Sequence, residues 1–257
     1  MLDEDELVRL AKSRRIRPWQ EEKRYLQALV LYSLSQSPPV FKGGTYLWFF
    51  HGLNRFSEDL DFTAAGIVNK TLSESVSNTL LLFGVSNEAR VMKDDKFILS
   101  FRISARGPLY RSEKDLSRIY VEISRREKTK LTSSVAKLDE AYYGIPIVFL
   151  KGMDLKEIAS EKIRAIMTRA AARDLYDLWH VVVRLHINPD LKLIEEKMSF
   201  YGKAYDPEEL NIRIDSLRDS WEKELRPLVP GRLPEYTEVR QDIREALANA
   251  SEGEGED

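Results

Sequence analysis

Cysteine is missing from all 257 residues. Disulfides, cysteine zinc sites and cysteine-ligated iron–sulfur clusters are thereby excluded, and an intracellular protein is expected. Histidine is nearly missing too. His51, His180 and His186 are scattered and show no metal-ligand spacing. No apolar run approaches the ~20 residues needed to span a bilayer. The N-terminus, Met1-Leu2-Asp3-Glu4-Asp5, is acidic and lacks an apolar signal core. A soluble, cytoplasmic chain without a membrane partner is therefore expected. Internal repeats and long linkers are absent as well.

What is present is enough apolar residue, 43%, to bury a full core in one large domain or two smaller ones. Net charge is only −2, but it is unevenly spread. Residues 90–130 carry 12 Lys/Arg against 6 Asp/Glu, and residues 206–257 carry 7 against 15. The basic segment suits a polyanion such as RNA or a triphosphate, and equally a set of solvated strands.

Periodicity predicts an amphipathic helix over residues 3–14 and a second from Trp19 to about Ser35, started by Pro18. A short strand, Val40-Phe41-Lys42, enters a Gly43-Gly44 turn, where Thr45 is placed to cap a helix from Tyr46 to about Gly52. A loop over residues 54–58 leads to a strand over Asp59–Phe62. A helix over 71–83 follows, then strands at Ala89–Met92, Phe97–Ile103 and Arg118–Ser124 and an apolar run at Ile145–Leu150. In Arg118–Ser124, Ile119, Val121 and Ile123 share one face, while Tyr120, Glu122 and Ser124 share the other. From Leu155 onward the pattern is helical, with one long helix to Arg184 and others near 190–200, 207–226 and 235–249. The layout is a mixed α/β half over 1–150, a helical half over 151–250 and a disordered acidic tail over 251–257.

Asp59-Leu60-Asp61-Phe62, downstream of Gly43-Gly44-Thr45, carries the chemistry. On a strand, Asp59 and Asp61 point to one face and repel each other unless a cation lies between them. Hard oxygen donors of this kind suit Mg²⁺, which binds through one or two carboxylates plus substrate phosphates. The glycine pair lets backbone approach a phosphate, and a helix N-terminus attracts it. In the long helix, Lys162, Arg169 and Arg173 fall on one narrow stripe. Asp177 lies about 60° and Asp174 about 120° around the helix from Lys162. Arg173-Asp174-x-x-Asp177 also reads as a salt-bridge lattice along the helix. His51, Tyr176 and Trp179 read as structural.

Gly43-Gly44-Thr45 with Asp59-x-Asp61, thirteen residues on, resembles the signature of polymerase-beta-like nucleotidyltransferases. The longer string Phe41-Lys42-Gly43-Gly44-Thr45-x-Leu47, then Arg55-Phe56-Ser57-Glu58-Asp59-Leu60-Asp61-Phe62, resembles the AbiEii/AbiGii toxins, a family that includes the MenT toxins. Glu161-Lys162-x-x-Ala165, Arg169 and Arg173-Asp174-Leu175-Tyr176-Asp177-Leu178-Trp179 resemble the family's second block. The resemblance spans about Val40 to Trp179 and does not reach residues 185–257.

The resemblance implies an α+β fold, a mixed sheet with flanking helices followed by a helical bundle closing one side of a cleft. It implies transfer of a nucleoside monophosphate from an NTP to an acceptor, with Mg²⁺, or Mn²⁺ in its place. Asp59 and Asp61 would hold metal. Glu122 would be the third carboxylate, as ligand or base, although some relatives use aspartate there. Gly43, Gly44 and Thr45 would cradle the triphosphate, with Arg55 and Ser57 also at substrate. Lys162 would neutralise phosphate charge, helped by Arg169 or Arg173, with Asp177 or Asp174 as a further active-site carboxylate. By likeness to the MenT group the acceptor would be a tRNA 3′ end. The chain would then be the toxin of a type IV-like toxin–antitoxin or phage-defence system, with a cognate antitoxin encoded nearby that need not touch it. Two other readings remain: an antibiotic-type transferase acting on a small cationic molecule, against which the basic segment argues, and a nucleotide- or RNA-binding module without turnover, against which the intact Asp59, Asp61 and Lys162 argue.

Overall fold

The computed structural model describes residues 2–253, with side chains through residue 248. The chain forms two compact units. One comprises Met1–Gly52 with Phe56–Met153, the other Leu53–Arg55 with Asp154–Asp257.

In the first unit the elements run α1 (Glu4–Arg14), α2 (Pro18–Leu34), β1 (Val40–Lys42), α3 (Gly43–Phe50), β2 (Leu60–Thr63), α4 (Thr71–Leu82), β3 (Asn87–Asp94), β4 (Ile98–Ala105), β5 (Ser117–Ser124), β6 (Ser134–Leu138) and β7 (Val148–Gly152). Asp3 caps α1 by accepting from the Glu6 amide at 2.8 Å, and Pro18 opens α2, where its fixed φ suits the first helical position. The seven strands form one sheet in the order β3-β4-β5-β2-β1-β7-β6. The β1–β7 and β2–β5 pairs are parallel and the others antiparallel.

One face of this sheet is the core. Phe41, Phe62, Leu99, Phe101, Val121 and Ile123 are all buried, and the Phe41 and Phe62 rings stack at 4.9 Å. Truncating such a side chain typically costs ~3–5 kcal/mol. Gly152 admits the ring of Tyr46, since a Cβ there would lie 2.1 Å from its hydroxyl. The alternation expected for β5 holds: Ile119, Val121 and Ile123 are buried while Tyr120 and Glu122 are exposed. Strand β6 has no counterpart in the sequence reading. It is a short edge strand, and its apolar residues are too few to stand out.

Two local expectations are corrected. Helix α3 starts at Gly43, not Tyr46, and Lys42 occupies its N-cap without a side-chain hydrogen bond. Thr45 therefore lies inside the helix and does not cap it. Strand β2 begins at Leu60, so Asp59 belongs to the preceding loop.

The second unit is helical: α5 (Leu155–Arg169), α6 (Ala172–Trp179), a π-helical turn over His180–Arg184, α7 (Leu191–Ser199), α8 (Pro207–Asp215), α9 (Arg218–Leu225) and α10 (Tyr236–Gly253). Asp154, Asp190 and Asp206 cap α5, α7 and α8 through their side chains. Ile163, Ile166, Leu178, Ile194 and Leu225 belong to its buried interior.

The single long helix expected over Leu155–Arg184 is broken. Ala170 adopts the left-handed conformation at φ 47° and closes α5. Arg169-Ala170-Ala171 has strong helix propensity, so local preference argued for continuity, whereas the structure turns at Ala170 and brings Lys162 and Arg169 onto Asp174. The helix expected over 207–226 likewise divides into α8 and α9. Helix α10 extends through Ser251–Gly253, where a disordered tail was expected. The rest of that tail lies outside the described residues.

Candidate active site

The first unit carries its carboxylates on the sheet face opposite the core. Asp61 on β2 is the Cα partner of Glu122 on β5 and of Lys42 on β1. Cross-strand partners share a face, so Asp61 and Glu122 are side-by-side neighbours. Glu122 is exposed and Asp61 partly so. Gly43 fixes the opposite boundary of Asp61. Its φ is +75°, and a Cβ there would lie 2.9 Å from Asp61 Oδ2. Glycine at this position thus serves two needs: a backbone conformation disfavoured for L side chains, and room for the carboxylate. Gly44 follows within the first turn of α3 and is buried.

Thr45 and Ser57 hold the loop that carries Asp59. Thr45 is fully buried. Its hydroxyl donates to the Asp59 carbonyl oxygen and forms a hydrogen bond with Ser57 Oγ at 2.8 Å. Asp59 itself is exposed. Sequence reasoning missed two supports of the same loop. Gln27 Nε2 donates to the carbonyls of Ser57 (3.1 Å) and Glu58 (2.8 Å), and Lys23 Nζ reaches Glu58 Oε2 at 3.3 Å and the Arg118 carbonyl at 2.6 Å. Their signal was available: Lys23 and Gln27 are polar residues four apart within the apolar stretch of α2.

These donors fit a hard divalent cation. The Asp61–Glu122 pair offers only oxygen, and glycine at position 43 leaves room for the Asp61 carboxylate beside it. Among the described residues, no group of three or more His, Asp or Glu side chains is gathered tightly enough to hold a metal alone. An ion that uses two carboxylates and takes its remaining oxygens from a bound nucleotide needs no such group.

The second unit holds a buried chain of charges. Arg55 is buried and grips Asp177 with two bonds, Nε to Oδ1 and Nη2 to Oδ2, each 2.6 Å. Lys162 Nζ lies 2.7 Å from Asp177 Oδ2 and 2.9 Å from Asp174 Oδ1. Arg169 closes the chain on Asp174 at 2.7 and 2.8 Å. Asp174 and Asp177 are fully buried and Lys162 nearly so. Burial opposes ionisation of both aspartates. The adjacent cations, Lys162 and Arg169 for Asp174 and Arg55 and Lys162 for Asp177, outweigh it and hold both carboxyls below the usual carboxylate range. Burial likewise works against the Lys162 ammonium, and Asp177 with Asp174 more than restores it. The Arg55 guanidinium is raised in the same way, its burial outweighed by Asp177.

This arrangement revises the helical-wheel reading. Because the helix breaks at Ala170, the angles that favoured Asp177 over Asp174 do not apply, and both aspartates reach Lys162. Arg173 is exposed and lies beyond the break, off the Lys162–Arg169 stripe. Glu161, next to Lys162 in sequence, turns instead to the buried Lys197 at 3.3 Å. Tyr176 is buried, with its hydroxyl donating to the Asn54 carbonyl at 3.2 Å, and Trp179 Nε1 donates to Asp242 at 2.8 Å. His51 packs against the Tyr46 ring at 4.8 Å.

The fold has solved counterparts. JHP933 from Helicobacter pylori aligns at 20% identity and a TM-score of 0.65, over 92% of this chain and 95% of that one. MenT4, a nucleotidyltransferase toxin from Mycobacterium tuberculosis H37Rv, aligns at 22% identity and a TM-score of 0.64, over 98% of this chain and 90% of that one. No curated protein matches. The family model described as "Nucleotidyl transferase AbiEii toxin, Type IV TA system" matches residues 24–249, which contain the glycine turn, the carboxylate row and the buried charge chain alike. The chain thus belongs to the AbiEii family of nucleotidyltransferase toxins from type IV toxin–antitoxin systems.

Proposed function

We propose that this enzyme transfers a nucleoside monophosphate from an NTP to the 3′ end of an RNA, with tRNA as the acceptor, and so arrests growth as the toxin of its system. The observation that supports the chemistry best is the registered pair Asp61–Glu122 with Gly43 packed against Asp61. In the step, the acceptor hydroxyl oxygen bonds to the α-phosphorus, the bond to the pyrophosphate oxygen breaks, and the hydroxyl proton leaves to a base. Glu122 is exposed beside Asp61 and takes that proton. Asp61, together with Glu122 or Asp59, would hold Mg²⁺, and the ion would supply Lewis-acid stabilisation of phosphate charge. Gly43 and Gly44 present the α3 N-terminus to the triphosphate. Thr45 and Ser57 act by fixing the Asp59 loop. In the second unit, Asp174 and Asp177 keep Lys162 protonated and fixed. Arg55 contributes by locking Asp177.

The RNA acceptor is supported by the basic segment 90–130, which is unsuited to the small cationic substrates of antibiotic-type transferases. A cognate antitoxin acts in the same system without needing direct contact. The test is to incubate protein, Mg²⁺ and total RNA with each labelled NTP in turn, using Asp59→Ala/Asp61→Ala as the control. Label in small RNA with the wild type only is the expected result. Label in a small molecule or a protein instead would overturn the RNA acceptor, and NTP binding without any transfer would overturn the enzyme reading for this chain.

A further inference from the structure

The sheet face that carries the carboxylates also carries the basic segment, in ordered rows. Lys93, Ser100, Glu122, Asp61 and Lys42 are successive Cα partners across β3-β4-β5-β2-β1. A register shift between Val91 and Lys93 returns Lys93 to this face. The next row, two residues along and so about 7 Å away, is Arg90, Arg102 and Tyr120. The row after that is Glu88, Ser104 and Arg118. The residues between these rows, such as Phe101, Ile103, Ile119 and Val121, are buried in the core, so the rows face away from it.

The arginines of these rows differ from the others in the segment. Arg106 pairs with Glu113, Arg111 with Glu4 and Arg125 with Asp94. Arg90, Arg102 and Arg118 form no ion pair among the described residues, and Arg102 Nε is buried without a hydrogen-bond partner. Arg90 and Arg118 are exposed, and the Tyr120 ring is 42% exposed. Guanidinium groups beside an open aromatic ring suit a single-stranded polynucleotide, whose phosphates take the charge and whose bases stack on the ring. Strands lie about 4.8 Å apart, so the row from Arg90 to Tyr120 covers about 10 Å and ends next to Glu122.

We infer that this row is the bed of the acceptor strand. Arg90 and Arg102 bind phosphates of a single-stranded RNA end, and Tyr120 stacks one of its bases, bringing the terminal hydroxyl to the carboxylate row. The inference rests on that row being the transfer centre. It names the residues that select a polyanionic acceptor over a small cation.

The test is affinity for a short fluorescein-labelled single-stranded RNA across a salt series. Arg90→Gln/Arg102→Gln should weaken binding about tenfold or more and reduce the slope of log K against log salt by about 1.4, or 0.7 for each lost phosphate contact. Tyr120→Ala should weaken binding roughly tenfold and leave the slope unchanged, because stacking releases no counterions. Arg226→Gln, at the exposed C-cap of α9, is the control and should match the wild type. If the double variant is unstable, Arg90→Gln alone, at an exposed site, should show half the slope change. Unchanged affinity and slope in the arginine variants would overturn the bed, as would a wild type that does not bind RNA and labels a protein instead. Incorporation of label into the same oligonucleotide by the wild type is scored in parallel. Incorporation with unaffected arginine variants removes the bed and leaves the transfer reading intact. No incorporation from any of the four NTPs removes the transfer reading itself.

Discussion

The two units use carboxylates in opposite ways. On the first, Glu122 is exposed beside Asp61, and Glu122 makes no ion pair among the described residues. On the second, Asp174 and Asp177 are fully buried and each is held by two cations. Two carboxylates side by side at a surface repel each other, which costs stability unless a cation lies between them. Buried carboxylates held by arginine and lysine fix a conformation, and breaking one such pair strands its partner's charge. The first arrangement exposes carboxylate oxygen to solvent, whereas the second satisfies it within the fold.

Four substitutions or conditions test that contrast. The largest effect is expected from Asp61→Asn. It should lower nucleotide transfer by about 10³-fold or more, equivalent to ~4 kcal/mol in the barrier, with a melting temperature close to the wild type's. Asp177→Ala should do the reverse in character. By leaving Arg55 and Lys162 without their shared carboxylate, it should cost ~3–5 kcal/mol in urea unfolding. A melting curve unchanged by Asp177→Ala would refute the structural role. Gly43→Ala should sit between the two classes. The left-handed backbone would cost ~1–2 kcal/mol, and the new methyl would push Asp61 aside, so transfer should fall more than stability alone explains. The smallest effect is on acid stability. Asp174 and Asp177 hold protons less readily folded than unfolded, so the unfolded chain takes up more protons in acid. Their stabilisation is fully present above about pH 4 and is lost as the pH falls through their lower folded values, at up to ~1.4 kcal/mol per pH unit for each carboxylate. Asp177→Asn should flatten that acid limb, as read from unfolding at a series of pH values.

Much of this was legible in the sequence. The alternation of Ile119, Val121 and Ile123 placed Glu122 on the open face of β5, because period-two burial needs no tertiary information. The glycine pair located the turn, and Leu60-Asp61-Phe62 the strand, with Asp59 falling just before it. What failed depended on contacts between distant segments. Continuous helix propensity across Ala170 concealed the break that lets Asp174 and Asp177 converge on Lys162. Thr45 looked like a cap because threonine before an apolar run usually is one, whereas its hydroxyl is engaged by a loop twelve to fourteen residues later. The bond from the buried Arg55 to Asp177, 122 positions away, likewise has no local signature. The rows Arg90–Arg102–Tyr120 and Lys93–Ser100–Glu122–Asp61–Lys42 could not be read from a charge count over 90–130, since only strand register brings them together.

The most direct measurement is calorimetric binding of each NTP with Mg²⁺ to the wild type, Asp61→Asn and Glu122→Gln, with melting temperatures taken in parallel. The account predicts metal-dependent binding of NTP by the wild type, its loss in both variants, and unfolding temperatures that stay together. Metal-dependent NTP binding of wild-type strength in both variants would show that the registered pair on β2 and β5 is not where the nucleotide and its ion are held.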